Sequence, residues 1–183
     1  MRFCASLVSI AMIALAGCGP RQALDYAFAI RNVTVSPAYQ SLDIHLEQDL
    51  ELSQQAREAL EHGVTLTIRL ELELRDEDHM IAARHDARRF LLRYLPLSER
   101  YQFAEETTGE LKVFSRLRHL LAALDDLSVH FATGPLPPGS YELRTRISLD
   151  ESRLPTPMQL PAWFSPQWRH DSEWSTWPFK VSA

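Results

Sequence analysis

Val64, Leu66, Ile68, Leu70, Leu72 and Leu74 alternate strictly with Thr65, Thr67, Arg69, Glu71 and Glu73. A period of two held over that length predicts a strand with one face buried and the other solvated. After a polar connection, Phe90, Leu92 and Tyr94 interleave with Arg89, Leu91 and Arg93, and Pro96 ends the run. Paired as a hairpin, the two runs would set Glu71 and Glu73 against Arg89 and Arg93. Such a solvated charge ladder contributes roughly 0.2–1 kcal/mol per cross-strand pair. Shorter alternations predict further strands. Tyr26, Phe28 and Ile30 give way to Val33 and Val35 on the opposite phase, which calls for a bulge near Arg31-Asn32. Leu42 to Leu46, Tyr101-Phe103, Leu111-Val113, Leu127 to Phe131 and Tyr141 to Leu149 complete the set, with "TTGE" and "TGPLPPGS" as loops.

Two short helices interrupt the strands. Ser53 suits the N-cap of a helix over Gln54 to His62, and Gly63 suits its C′ position. Ser115 is placed to cap Arg116 to Leu124, where Leu117, Leu120, Leu121 and Leu124 form one helical stripe. The order strand, Ser-capped helix, two strands occurs from Leu42 to Leu95 and again from Leu111 to Leu149, without any residue-level repeat. Successive alternating strands favour an antiparallel arrangement, and the strand–long helix–strand rhythm of a parallel sheet is missing. The expected fold is mainly β, with α+β as the alternative: an antiparallel β-sandwich of about eight strands and two short helices.

The C-terminal segment breaks the pattern. Prolines at 155, 157 and 161 precede all four tryptophans of the chain, Trp163, Trp168, Trp174 and Trp177. The prolines oppose a sheet strand and predict an extended wrap over the domain. Ser165-Pro166 reads as an N-cap followed by proline at N1, the start of a short turn. Trp174 and Trp177 would share a face if helical, and Arg169 could stack on an indole. Two roles suit Trp163, Phe164, Trp168, Arg169, Trp174 and Trp177. The default is packing, with tryptophans plugging an open end of the sandwich; the alternative is a partly exposed patch that meets a partner or lipid.

The N-terminus changes the picture of where the chain resides. After Arg2, residues 3–16 are apolar or small, too few to span a bilayer and suited to a signal-peptide core. Leu15, Ala16 and Gly17 then precede Cys18 in the manner of a bacterial lipobox, with Cys18 as the lipidated residue. This divides the chain into a signal peptide (1–17), a lipid-anchored linker (18–23) and one globular domain (24–183). Gly19 and not Asp follows the cysteine, and the resemblance to such lipoproteins then implies sorting to the outer membrane, so the expected location is the periplasmic face, the outer membrane in preference to the inner. Cys4 would leave with the signal and Cys18 carry lipid, so the mature chain has neither thiol nor disulfide. Loss of Arg2 leaves 18 basic against 24 acidic residues, a charge of −6. That charge, with no Lys/Arg run, opposes nucleic-acid binding.

Candidate chemistry is sparse. His79 and His85, with Asp78 and Asp86 beside them, are spaced six apart, outside common zinc spacing, and read as a polar hairpin tip. His45 and His130 fall on polar phases. The pairs Glu105-Glu106 and Asp125-Asp126 point to opposite faces if extended. No nucleophile elbow, Gly-rich phosphate loop or HExxH motif occurs. No catalytic residue, metal or cofactor is assigned, and a non-enzymatic role is expected.

Five stretches carry a resemblance: "EHGVTLTIRLELELR", "LLRYLPLSERYQF", "TTGELKVFSRLRHLLAAL", "LPPGSYELRTRISLD" and "LPTPMQLPAWFSPQWRHDSEW". Together they resemble the uncharacterised proteobacterial exported family called domain of unknown function 4390. The last is the most specific, with Leu154, Pro155, Pro157, Leu160, Ser165, Pro166, Trp168, Arg169, Ser172 and Trp174 filling its pattern. Relatives often carry a tryptophan-rich segment after the long strand, where this chain has the acidic "RDEDHMIAAR". The resemblance implies no activity, cofactor or catalytic residue; through the family's gene neighbours it implies a link to envelope signalling. The expectation is a periplasm-facing lipoprotein that works as an interaction or accessory module of the envelope, with an unknown envelope protein as partner. The alternatives are an enzyme acting on cell-wall glycan or peptide and a carrier of an apolar ligand.

Overall fold

A computed structural model describes residues 27–76 and 82–182. In chain order the elements are β1 (Phe28–Pro37), β2 (Ser41–Leu50), α1 (Gln54–Glu61), β3 (Leu66–Asp76), β4 (Ala82–Leu95), β5 (Arg100–Glu105), β6 (Leu111–Phe114), α2 (Leu117–Asp125), β7 (Asp126–Ala132), β8 (Gly139–Leu149), α3 (Thr156–Phe164) and β9 (Ser175–Val181). They form two antiparallel sheets, one ordered β1-β2-β7 and the other β6-β5-β4-β3-β8-β9. The fold is the expected mainly-β, sandwich-like one. Its ninth strand and third helix, beyond the eight and two expected, both come from the C-terminal segment.

Burial follows the alternation. Leu66, Ile68, Leu70, Leu72 and Leu74 of β3 and Leu42, Ile44 and Leu46 of β2 belong to one core cluster, and all are at most 1% exposed. The bulge in β1 lies between Ile30 and Asn32, and it brings both Phe28 and Val33 inward. Ser53 caps α1 by accepting the Ala56 N–H at 3.1 Å, and Gly63 takes a φ of 88°, a left-handed value that suits glycine.

Three details of the expected layout are corrected. Ser115 does not cap α2: the helix starts at Leu117, and Arg116 takes the N-cap position without a side-chain bond. The two strand–helix–strand–strand runs are not structural equivalents, because β2 and β6 lie in different sheets. The charge ladder also has other partners. The β3–β4 register sets Arg69 against Arg89, Glu71 against Ala87 and Glu73 against His85. Glu71 and Glu73 instead face Arg146 and Arg144 of β8, with Arg144 Nη1 3.1 Å from Glu73. Arg89 turns to Glu106 and Asp150. Hydrophobic phase decides which face is buried but leaves even-numbered shifts of register open.

Register also carries Arg84 and Arg88 to the inner side of β4, opposite Leu74 and Leu70. Arg88 donates to the His130 carbonyl at 2.7 Å and Arg84 to that of Thr133 at 3.0 Å. Both acceptors lie along or just past β7, an edge strand of the smaller sheet. Arginines of the larger sheet thus cross to carbonyls on or beside an edge strand of the smaller one.

Candidate functional site

The C-terminal segment begins where β8 ends. A single 3₁₀ turn over Glu151–Arg153 reverses the chain, and Leu154 enters the core at 3% exposure. Residues 156–164 then form α3, where an extended wrap was expected. The prolines permit this because of where they fall. Pro155 is the N-cap, Pro157 sits in the first turn where no intrahelical N–H is needed, and only Pro161 removes a helical donor. The Gln159 amide ties the helix back to the carbonyls of Ser152 and Leu154, each at 2.9 Å. Ala162 is fully buried beneath the helix. On the other side Leu160, Trp163 and Phe164 stand at 62%, 55% and 82% exposure.

Ser165 closes α3 through its N–H, which meets the carbonyls of Pro161 and Ala162. The expected turn follows as a 3₁₀ helix over Pro166–Trp168, with Pro166 in its first turn, although the Ser165 hydroxyl does not cap it. This turn drives Trp168 into the core at 2% exposure. Next to it, His170 is equally buried and accepts the Ser53 N–H on Nε2 at 2.9 Å. A ring nitrogen that accepts from an amide carries no proton, so the imidazole is neutral. Burial, opposed by a bond to the Trp168 backbone, lowers its pKa below the usual histidine value. The Ser53 hydroxyl, while capping α1, donates to the Gln167 carbonyl at 2.7 Å. The Phe28 ring lies 5.1 Å from the His170 ring. Ser53 therefore joins α1 to the tail, and His170 joins the tail to the start of β1.

The chain then zips onto β8. Leu149 N–H reaches the His170 carbonyl, and Ser172 exchanges bonds with Ile147 through both its N–H and its hydroxyl, each at 2.9 Å. Strand β9 pairs with β8 from Thr145 to Gly139, and its Pro178 is tolerated on an outer strand. Trp177 and Trp174 do not share a helix: Trp177 lies in β9 and donates its indole N–H to buried Thr145 at 2.9 Å. Trp174 lies just before β9 and takes a guanidinium at 4.8 Å. That guanidinium belongs to Arg144, not to Arg169 as expected; Arg169 is exposed and donates toward the Trp163 carbonyl at 3.5 Å. Asp171 accepts a forked bond from Arg146, which raises the arginine's pKa and lowers that of the aspartate.

The structure thus divides the six predicted residues. Trp168 is a plug, Trp174 and Trp177 are half-buried against β8, and Trp163, Phe164 and Arg169 face solvent. Leu160 belongs with the exposed set, and its i, i+3, i+4 spacing to Trp163 and Phe164 was readable once a helix was allowed. His170 was missed. Its partner Ser53 is 117 residues away, and no local pattern marks such a pair.

Elsewhere the carboxylates are dispersed. Glu105 meets Arg88, and Glu106 meets Arg89 and Arg153, on opposite faces of the sheet. Asp125 accepts the Leu50 N–H at 3.0 Å, and burial raises its pKa; Asp126 lies 3.5 Å from His45. Among the described residues no group of three His, Cys, Asp or Glu could hold a metal ion, and no helix is long and apolar enough to cross a membrane. Leu15, Ala16, Gly17, Cys18, Asp78 and His79 lie outside the described residues.

The fold and the segment define a two-sheet antiparallel β protein that presents an apolar helix face on a tail pinned into its core. The model of the family described as domain of unknown function (DUF4390) matches residues 26–178, and the chain belongs to that family. No curated protein and no solved structure matches it.

Proposed function

We propose that the protein is a periplasm-facing lipoprotein, anchored through Cys18, that acts by binding as an accessory module of the cell envelope. The observation that carries this is the α3 face. Leu160, Trp163 and Phe164 point outward from a helix whose underside and following turn are fixed by Ala162 and Trp168. Rigidly held exposed apolar side chains are suited to docking, because little ordering entropy remains to be lost on contact. The docked component is membrane lipid or an envelope protein, and a role in envelope signalling accords with such a module.

The enzyme alternative finds less support. A hollow of about 300 Å³ between the β5–β6 hairpin and β7 is lined by Glu105, Glu110 and Asp126 among others. Each of these carboxylates already has a partner: the Arg88 guanidinium, the Lys112 ammonium and the His45 imidazole. An apolar-ligand carrier needs room between the sheets, and the inner side chains of β2, β3 and β8 are buried together in one core cluster.

Two experiments test the proposal. Cys18→Ser should abolish lipid labelling and leave the precursor uncleaved; normal labelling and maturation would refute the anchor. A photo-crosslinking residue at position 164 in intact cells should form envelope adducts well above one placed at exposed Tyr39, in the β1–β2 turn at the far end of that hairpin from Phe28 and Leu50. Equal yields would refute docking by α3.

A further inference from the structure

We infer that the Leu160–Trp163–Phe164 face of α3 seats in the surface of the lipid bilayer to which the chain's own N-terminus is tethered. The inference rests on the anchored reading above and names the component that α3 meets.

The first support is position. The described chain starts at Ala27, whose carbonyl accepts the Glu51 N–H at 2.9 Å. Two residues after Glu51, Ser53 bonds His170 and Gln167. Two residues further, Gln55 lies 3.4 Å from the Ser165 hydroxyl at the C-terminal end of α3. The point where the tether arrives and the exposed helix therefore lie at one end of the molecule. Nine residue steps separate Cys18 from Ala27, about 30 Å at full extension. A lipid on Cys18 would hold this end within reach of the headgroups.

The second support is size. A stable protein–protein interface buries about 800 Å² on each partner, from 20–30 residues a side. Three side chains on a helix of nine residues fall well short of that. Partial insertion at a bilayer surface asks for less: an apolar face, with aromatic rings at headgroup depth. Trp163 and Phe164 meet that requirement, and Arg169, held near the Trp163 carbonyl, supplies a cation at its rim.

The third support is energetic. A contact this small would not retain a free protein on a membrane. A short tether makes the contact intramolecular, at an effective concentration in the millimolar range. The lipid then supplies attachment and α3 supplies orientation. With α3 against the bilayer, the charged outer face of the larger sheet stands at a fixed angle to the membrane.

The test uses mature lipidated protein reconstituted in phosphatidylethanolamine/phosphatidylglycerol vesicles with brominated acyl chains. Tryptophan fluorescence is read together with vesicle flotation. The inference expects protein that floats and a quenched tryptophan component that disappears in Trp163→Phe, whose substituted residue is exposed and should leave Tm unchanged. Leu160→Ser/Phe164→Ser, with Trp163 retained, should lose most of the quenching while still floating. Floating protein without quenching overturns the inference and leaves the anchor standing. Protein that carries no lipid and does not float overturns both. A position-164 crosslink in cells that goes to a protein, with no lipid adduct, overturns it in favour of a protein partner.

Discussion

Trp163 and Trp168 lie five positions apart in a segment where tryptophan is concentrated, and the fold gives them opposite duties. Trp168 fills the end of the core, at 2% exposure, while Trp163 is more than half exposed. Trp168→Ala should therefore cost about 3–5 kcal/mol. Trp163→Ala should lie within about 0.5 kcal/mol of wild type, as surface substitutions do. Urea unfolding of the two variants measures the contrast, and equal losses would contradict the division. His170 makes a second prediction at this scale. Its folded pKa is lowered by burial, so on acidification the unfolded chain takes up the proton first. Stability from this group is then complete above about pH 6.5 and falls as pH drops toward the folded pKa, by at most about 1.4 kcal/mol per pH unit. The difference in urea midpoint between wild type and His170→Gln, followed from pH 7.5 to 5, isolates this slope from that of the carboxylates. A constant difference would show that the histidine is not held neutral.

At the scale of elements, α1 and the C-terminal turn are one unit, because the same serine caps the first and bonds a carbonyl of the second. Ser53→Ala removes the cap of α1 and also the donor to the Gln167 carbonyl. The cap alone is worth about 0.5–2 kcal/mol. His170→Leu removes the acceptor of the Ser53 N–H. Bonds from one residue to two neighbouring partners should not add, so the double variant should depart from the sum by about 0.5 kcal/mol or more. Additive losses would mean that the helix and the tail are held independently. The β3–β4 pair shows the same dependence on neighbours. Glu73 meets Arg144 on β8 as well as Arg75 on its own strand, and Arg89 finds its carboxylates beyond β4, because each strand at mid-sheet has two sides to pair.

For the whole molecule, the tail is part of the domain and not an appendage. Its residues reach β1 through Phe28, α1 through Ser53 and β8 through Ile147 and Thr145. Such anchoring makes the exposed side of α3 a rigid surface. It also places that surface at the end where the chain leads toward Cys18, which gives the proposed lipid anchor and the proposed docking face one direction.

Much of this was legible in the chain before any folding was considered. Strict alternation marked β3 and β8, the phase change marked the bulge in β1, and Ser53 with Gly63 bounded α1. Each rests on interactions within a few residues, where spacing maps directly onto geometry. The same locality made Ser165-Pro166 readable as a turn. Tertiary structure decided the rest. It chose the strand register, drew β9 and α3 from a proline-rich stretch, and set one tryptophan inside while leaving another out. It also paired Ser53 with His170 across 117 residues. These outcomes depend on which surfaces meet after collapse, and burial of a side chain is a property of its neighbours in space. Sequence therefore determined the alternating faces and the Ser53 cap; the packed end of the sandwich determined which aromatic residues became core and which became surface.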